Sequence, residues 1–171
     1  LAGVGIGGLV IGLALQDSLK NILGGIALLL DQTFKVGDKV RLESGEVGEI
    51  LDIGLRSTKM RTYNNEQLTI PNGYLANTRI QNYTRPNPKI RVVVEFGVGY
   101  GSPVEKVKKM VLSEIATMKE ILSDPSPDVA FVSMGDSALN FKVLFWVENW
   151  GDAYSKKLEA TSGVFPGALK E

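Results

Sequence analysis

The chain has 171 residues, enough for one to three small folding units, and its 19 acidic and 19 basic side chains cancel. The absence of a basic excess argues against a dedicated nucleic-acid binder. Cysteine and histidine are both missing, which excludes disulfides, thiolate metal sites and every Ser-His or Cys-His nucleophile pair; carboxylate and lysine chemistry stays open, but the usual enzyme menu is much shortened and no cofactor is expected.

The chain starts at Leu1 rather than at a methionine and reads as a segment of a longer polypeptide. Residues 1–15 carry no polar side chain, residues 16–21 form a polar island (QDSLKN), and residues 22–30 are again apolar or glycine. No charged stretch precedes the apolar run, so it is not a secretory signal. Seven of the 19 glycines fall within the first 25 residues. In a water-exposed helix each would cost about 1 kcal/mol relative to alanine, whereas in a membrane small residues let helices approach closely. As a helix, the first 15 residues would reach about 22 Å, short of the roughly 30 Å of a bilayer core. Residues 16–30 supply the missing length, but the island interrupts them.

Placed at about 100° per residue, Gly5, Gly8 and Gly12 share one flank of this helix. Gly3, Gly7 and Ala14 share a second flank, with Val10 beside them. Ala2, Leu9 and Leu13 lie between the flanks, and Val4, Ile11 and Leu15 lie opposite. Two small-residue flanks give a helix close neighbours on both sides, as in a ring of identical helices. Leu9 and Leu13 would then face the ring axis as two leucine rings, an apolar constriction able to gate by dewetting. A dry helix packed in an ordinary membrane bundle also explains the Gly8-xxx-Gly12 pattern, but not the two-sided small surface. The island suits a break where the helix leaves the pore, and 22–30 then suits an interfacial segment.

From 31 to about 85, KVRL (39–42), EVGEILDI (46–53), STKMRT (57–62) and QLTI (67–70) read as short strands joined by turn residues at 44–46 and 64–66. Spacing this tight predicts a small β-barrel. Arg85-Pro86-Asn87-Pro88 predicts a linker. Beyond it, KIRVVVEFGV (89–98) is a strand. Ser102 is placed as the N-cap of a helix, with Pro103 at its first position and Glu105 completing a capping box. Val104, Val107, Met110, Val111, Ile115 and Met118 form the apolar face of that helix. VAFVSM (129–134) and ALNFKVLFWVE (138–148) read as a hairpin, which makes this region an αβ sandwich.

Several chemical signals are outweighed by plainer readings. Gly3-Val4-Gly5-Ile6-Gly7-Gly8 fits a dinucleotide fingerprint but follows no strand. Gly97-Val98-Gly99-Tyr100-Gly101 could cradle an anion, yet reads as a strand-to-helix turn. Arg56, Lys59, Arg61 and Tyr63 could make a basic strand of a nucleic-acid barrel, and a solvated strand face is the plainer reading.

IGLALQDSLKNILGGIALLLDQTFKVGDKV (11–40) resembles the pore helix and its exit in the small-conductance mechanosensitive channels. Ile70-Pro71-Asn72-Gly73 matches that family's hallmark in its small β-domain, and LNFKVLFWV (139–147) looks like a strand of its last domain. The resemblance implies a membrane helix followed by α+β: a glycine-rich pore helix with a bend (1–30), a small Sm-like β-barrel (31–86) and a ferredoxin-like αβ sandwich (87–150). It implies a homo-heptamer in the cell membrane, with everything after about residue 30 forming a cytoplasmic cage. Membrane lipid is then a partner, ions and small osmolytes are permeants, and nucleic acid has no role. By resemblance Leu9 and Leu13 are gate leucines, Gly5, Gly8, Gly12 and Ala14 are packing residues, and Gln16 and Asn21 sit at the bend. Asp17 stands where better-known members have glycine, which makes Gly24-Gly25 a substitute hinge. The two preceding membrane helices are not in the sequence, and 151–171 is expected to lack the family's long helix and closing strand. A soluble ring-forming RNA-binding module, a membrane-anchored scaffold and a membrane-anchored enzyme are the competing readings. An RNA module has no use for the apolar run, and the missing histidine and cysteine weaken the enzyme.

Overall fold

The structure, a computed structural model, describes residues 2–168, with side chains from 7 to 163. It divides into two units, Leu1–Arg85 and Pro86–Glu171.

The first unit opens with α1 (Ala2–Asp31), one helix that runs unbroken through the polar island. The expected break at 16–21 is therefore corrected. The island contains no proline, and its Gln, Leu and Lys are good helix formers, so the hydrogen-bond ladder continues through it. Five antiparallel strands follow: β1 (Lys39–Leu42), β2 (Val47–Ile53), β3 (Ser57–Thr62), β4 (Gln67–Pro71) and β5 (Ile80–Asn82). They are ordered β4-β3-β2-β1-β5, with a one-turn helix α2 (Asn72–Leu75) between β4 and β5. Period-two alternation buries Val40, Leu42, Ile50, Met60 and Ile70 on one face, where Phe34, Leu75 and Leu28 of α1 complete the core. Turn chemistry sets the hairpins: Gly45 and Asn65 both take positive φ, as the tight connections after β1 and β3 require.

The second unit contains β6 (Ile90–Val98), α3 (Val104–Thr117), β7 (Asp128–Met134), β8 (Leu139–Val147) and α4 (Trp150–Ala168), with strand order β6-β8-β7. Alternate residues of the central strand, Leu139, Phe141, Val143, Phe145 and Val147, are buried together with Val107, Val111 and Ile115 of α3. The cap of α3 differs from expectation. Pro103 is the N-cap, no side chain caps the helix, and Glu105 pairs instead with Lys108 at 3.3 Å. Lys106 and Val107 both donate backbone N–H groups to the Pro103 carbonyl, so the helix begins one residue later than the Ser-Pro pattern suggests.

The tail is also corrected: residues 150–168 form a 19-residue helix. Its inward face is made of small residues and one long stem. Ala160 and Lys156 are buried, Ala153 packs against the core, and Tyr154 and Leu158 point outward. The Lys156 ammonium bonds Glu159 at 3.0 Å and Glu120 at 3.1 Å. Those two carboxylates, Glu159 first, raise its pKa above the ordinary 10.5. A raised lysine stabilises the fold fully below its unfolded value and loses that contribution as pH climbs through the folded value. The full chain is therefore expected to lose thermal stability in a step above pH 10.5. Lys156→Met, which keeps the stem and removes the charge, is expected to shrink that loss in a series of melting curves, leaving the part that comes from Tyr63, whose pKa burial raises above 10.0.

Candidate functional site at the base of the first helix

Where α1 meets the first sheet, three small-residue contacts and one buried amide bring backbone against backbone. Gly24 and Gly25 are both buried. A Cβ on Gly24 would lie 2.8 Å from the carbonyl of Asn72 and from the nitrogen of Gly73. A Cβ on Gly25 would lie 2.6 Å from Asn72 Nδ2 and press on the Leu55 carbonyl. On the other side of the contact, a Cβ on Gly73 would lie 2.8 Å from Asn21 Oδ1 and 3.1 Å from Lys20 Cγ. Glycine is required at Gly24 and Gly25 because the chains touch at main-chain distance, while at Gly73 a Cβ would crowd the Asn21 and Lys20 side chains.

Asn72 is the hub. It is 0% exposed, and the hydroxyl of Thr58, also 0% exposed, donates to its Oδ1 at 2.8 Å. Its Nδ2 donates to the carbonyls of Gly54 (2.8 Å) and Leu55 (3.1 Å), fixing the β2–β3 turn against the start of α2. Pro71 before it holds φ at −59° and ψ at 132°, an extended residue that turns the strand end into the helix. The Gly73 peptide is then held at both ends. Its N–H donates to Asn21 Oδ1 at 3.0 Å, and its carbonyl accepts from Asn77 Nδ2 at 2.7 Å. Ile70, Pro71, Asn72, Gly73, Asn21, Gly24 and Gly25 thus form one site, with Ile70 in the core behind it. The sequence reading placed the last three at a bend; the structure gives them a docking contact. Thr58, Gly54 and Leu55 were not singled out, because their part depends on a turn far from the motif in sequence.

A methyl at Gly25 has only main-chain atoms and the buried amide to push against. Gly25→Ala is therefore expected to cost about 1–3 kcal/mol by overpacking, read as a lowered denaturation midpoint. A midpoint equal to that of the parent would show that the contact is not close-packed.

Above the dock the helix has no cover. Every side chain from 7 to 20 is exposed, Leu9 and Leu13 at 63% each, and a Cβ at Gly8 or Gly12 would meet nothing within 4 Å. Gln16, Asp17 and Ala14 are likewise exposed, and Gly5 lies outside the described side chains. The single chain therefore leaves Leu9, Leu13, Gly8, Gly12, Ala14, Gln16 and Asp17 all exposed. Among the described residues no ion pair joins Asp17 to Lys20, as suits two exposed side chains that gain little from pairing. Residues 7–31 form a 25-residue stretch long and apolar enough to cross a membrane. The basic strand is largely neutralised: Lys59 pairs with Asp52 at 3.6 Å and Arg61 with Glu49 at 3.0 Å.

Residues 17–85 match the family described as the mechanosensitive ion channel β-domain, and residues 92–164 match the C-terminal domain of the mechanosensitive ion channel MscS. The chain belongs to the MscS family of mechanosensitive ion channels. This is a family of channels, not of enzymes. The small-conductance mechanosensitive channel MscMJ of Methanocaldococcus jannaschii is 40% identical over 159 residues, 90% of this chain and 44% of that protein. The small-conductance mechanosensitive channel of Edwardsiella ictaluri is 34% identical over 142 residues, 83% of this chain and 49% of that protein. The crystal structure of Helicobacter pylori MscS in the closed state superposes with a TM-score of 0.88 at 29% identity, covering 98% of this chain and 65% of that one. The chain spans about half the length of these curated MscS relatives. The family's fold, an apolar helix followed by β and α+β domains, is the fold observed here.

Proposed function

We propose that this chain is the pore helix and cage of a channel opened by membrane tension, which releases ions and small solutes when the cell is diluted. The observation that carries the reading is the two-part character of α1. From residue 7 to 15 it is apolar and its side chains are uncovered, while its second half is locked in place through Gly24, Gly25 and Asn21. An apolar helix without cover in one chain needs lipid or copies of itself around it. Identical helices in a ring satisfy both needs. Gly5, Gly8, Gly12 and Ala14 are then the contact between neighbours, and Leu9 and Leu13 point into the lumen. The family supports a homo-heptamer in the cell membrane, with residues 1–30 lining and leaving the pore. The β-domain (31–86) and the αβ-domain (87–150, continued by α4) hang below as a cytoplasmic cage.

In this reading the gate works by excluding water. Two leucine rings make a lumen too apolar to stay wet until tension tilts the helices apart. The docked half of α1 gives each helix a fixed foot, and the polar island with Gln16 and Asp17 marks the level at which it reaches water. Purified full-length parent protein in liposomes loaded with a small fluorescent anion is expected to release the dye on hypo-osmotic dilution. Retention equal to that of protein-free liposomes would refute the channel reading.

A further inference from the structure

The chain leaves its first unit at Arg85, and that exit is tied back to the end of α1 by one buried carboxylate. Asp38 is 6% exposed. Its Oδ2 accepts the backbone N–H of Lys35 at 3.0 Å and the side-chain amide of Asn82 at 2.9 Å, and pairs with Arg85 Nε at 3.0 Å. The same guanidinium extends Nη1 to the Gln32 carbonyl at 3.4 Å. Gln32, at φ 48°, is where the chain turns out of α1, and its N–H still bonds Leu28 O at 3.1 Å. On the far side, Asn82 Oδ1 accepts the backbone N–H groups of Thr84 (2.8 Å) and Arg85 (3.1 Å). Lys39 donates its N–H to the Thr84 hydroxyl at 2.9 Å, and the Tyr83 N–H donates to Lys39 O at 2.8 Å.

Three pieces of chain therefore converge on Asp38: the segment leaving α1, the first residues of β1, and the run from β5 to Pro86. The Lys59–Asp52 pair differs, since its carboxylate side chain is 56% exposed against 9% for Asp38. An exposed pair can part at little cost. Removing Arg85 strands a carboxylate that water hardly reaches. Arg85 also does what lysine cannot: its planar fork reaches the carboxylate and the Gln32 carbonyl together.

We propose that Asp38 and Arg85 are positioning residues for gating. They hold the end of α1 and the exit of the chain at Pro86 as one piece, so that load on the chain beyond Arg85 reaches α1 without first deforming the sheet. This rests on the channel reading above. The test uses the full-length parent and its Arg85→Gln and Arg85→Lys variants, in nanodiscs for amide exchange and in membrane patches for current. Arg85→Gln is expected to raise exchange at residues 32–36 by about tenfold, with β3 unchanged. It is also expected to change the rate of closure under held suction several-fold, with unitary conductance unchanged. Arg85→Lys, which keeps a charge on Asp38 and so guards against misfolding, is expected to fall between. Faster exchange with unaltered closure would reduce the cluster to a structural tie and overturn the proposal, as would unaltered exchange. If the parent itself carries no current under suction, the channel reading falls and this inference with it; if the parent gates and the variants gate alike, only this inference falls.

Discussion

Leu13→Ser in the full-length parent is expected to lower the tension at which the channel opens and to slow growth of cells that express it. Each leucine kept from water contributes on the order of 1.5–3 kcal/mol to the dry constriction. A ring repeats that loss once per subunit, so a single substitution acts on the gate several times over. The serine hydroxyl also gives water a partner where none existed, so the lumen hydrates before the helices have moved apart. Leu15, on the opposite face of the wheel, is the control, and Leu15→Ser is expected to leave the threshold close to that of the parent. A threshold that moves with Leu15→Ser and stays put with Leu13→Ser would assign the lumen to the other face of α1.

Asn72→Asp is expected to be the most damaging single change in the first unit. The substitution is nearly isosteric, so packing is not at issue. It removes both donors from the side chain, leaving the Gly54 and Leu55 carbonyls facing a carboxylate oxygen in a site with no exposure. Two stranded acceptors at about 1–3 kcal/mol each, with a buried charge added, make a loss of roughly 3 kcal/mol or more. That is a large share of a total stability of about 5–15 kcal/mol. Thr58→Val, which removes the donor to Asn72 Oδ1 and little else, is expected to cost about 1 kcal/mol. Chemical denaturation of the three proteins ranks them. Asn72→Asp no worse than Thr58→Val would mean that Asn72 does not hold the β2–β3 turn.

The strands were legible because each is short, alternates on a period of two and ends in a turn residue; β1 and β3 begin and end where the pattern places them. β5 and α2 were missed because three and four residues are too few to show any period. α4 was missed for a different reason. Its inward positions are Ala153, Lys156 and Ala160, so an apolar search finds no stripe, although the spacing of those small residues is helical. The dock was half legible. Asn72 and Gly73 stood out as a motif, but their roles depend on Thr58, Gly54 and Leu55, which only the folded sheet brings near. Gly24 and Gly25 read as a substitute hinge because Asp17 stands where the resemblance puts a glycine, and only the tertiary contact shows that they let the helix touch the β2–β3 turn and α2. Asp38 resembles an ordinary turn carboxylate in KVGD, and nothing local reveals that Arg85 closes over it.

The central claim is that residues 1–30 line and then leave a pore that tension opens, and the most direct test is current under suction. Full-length parent protein expressed in cells lacking other tension-gated channels is expected to give discrete, suction-dependent openings of uniform size in excised patches. Leu13→Ser patches are expected to open at lower suction in the same recordings. Patches that contain the assembled protein yet stay silent up to the tension that ruptures the membrane would contradict the account.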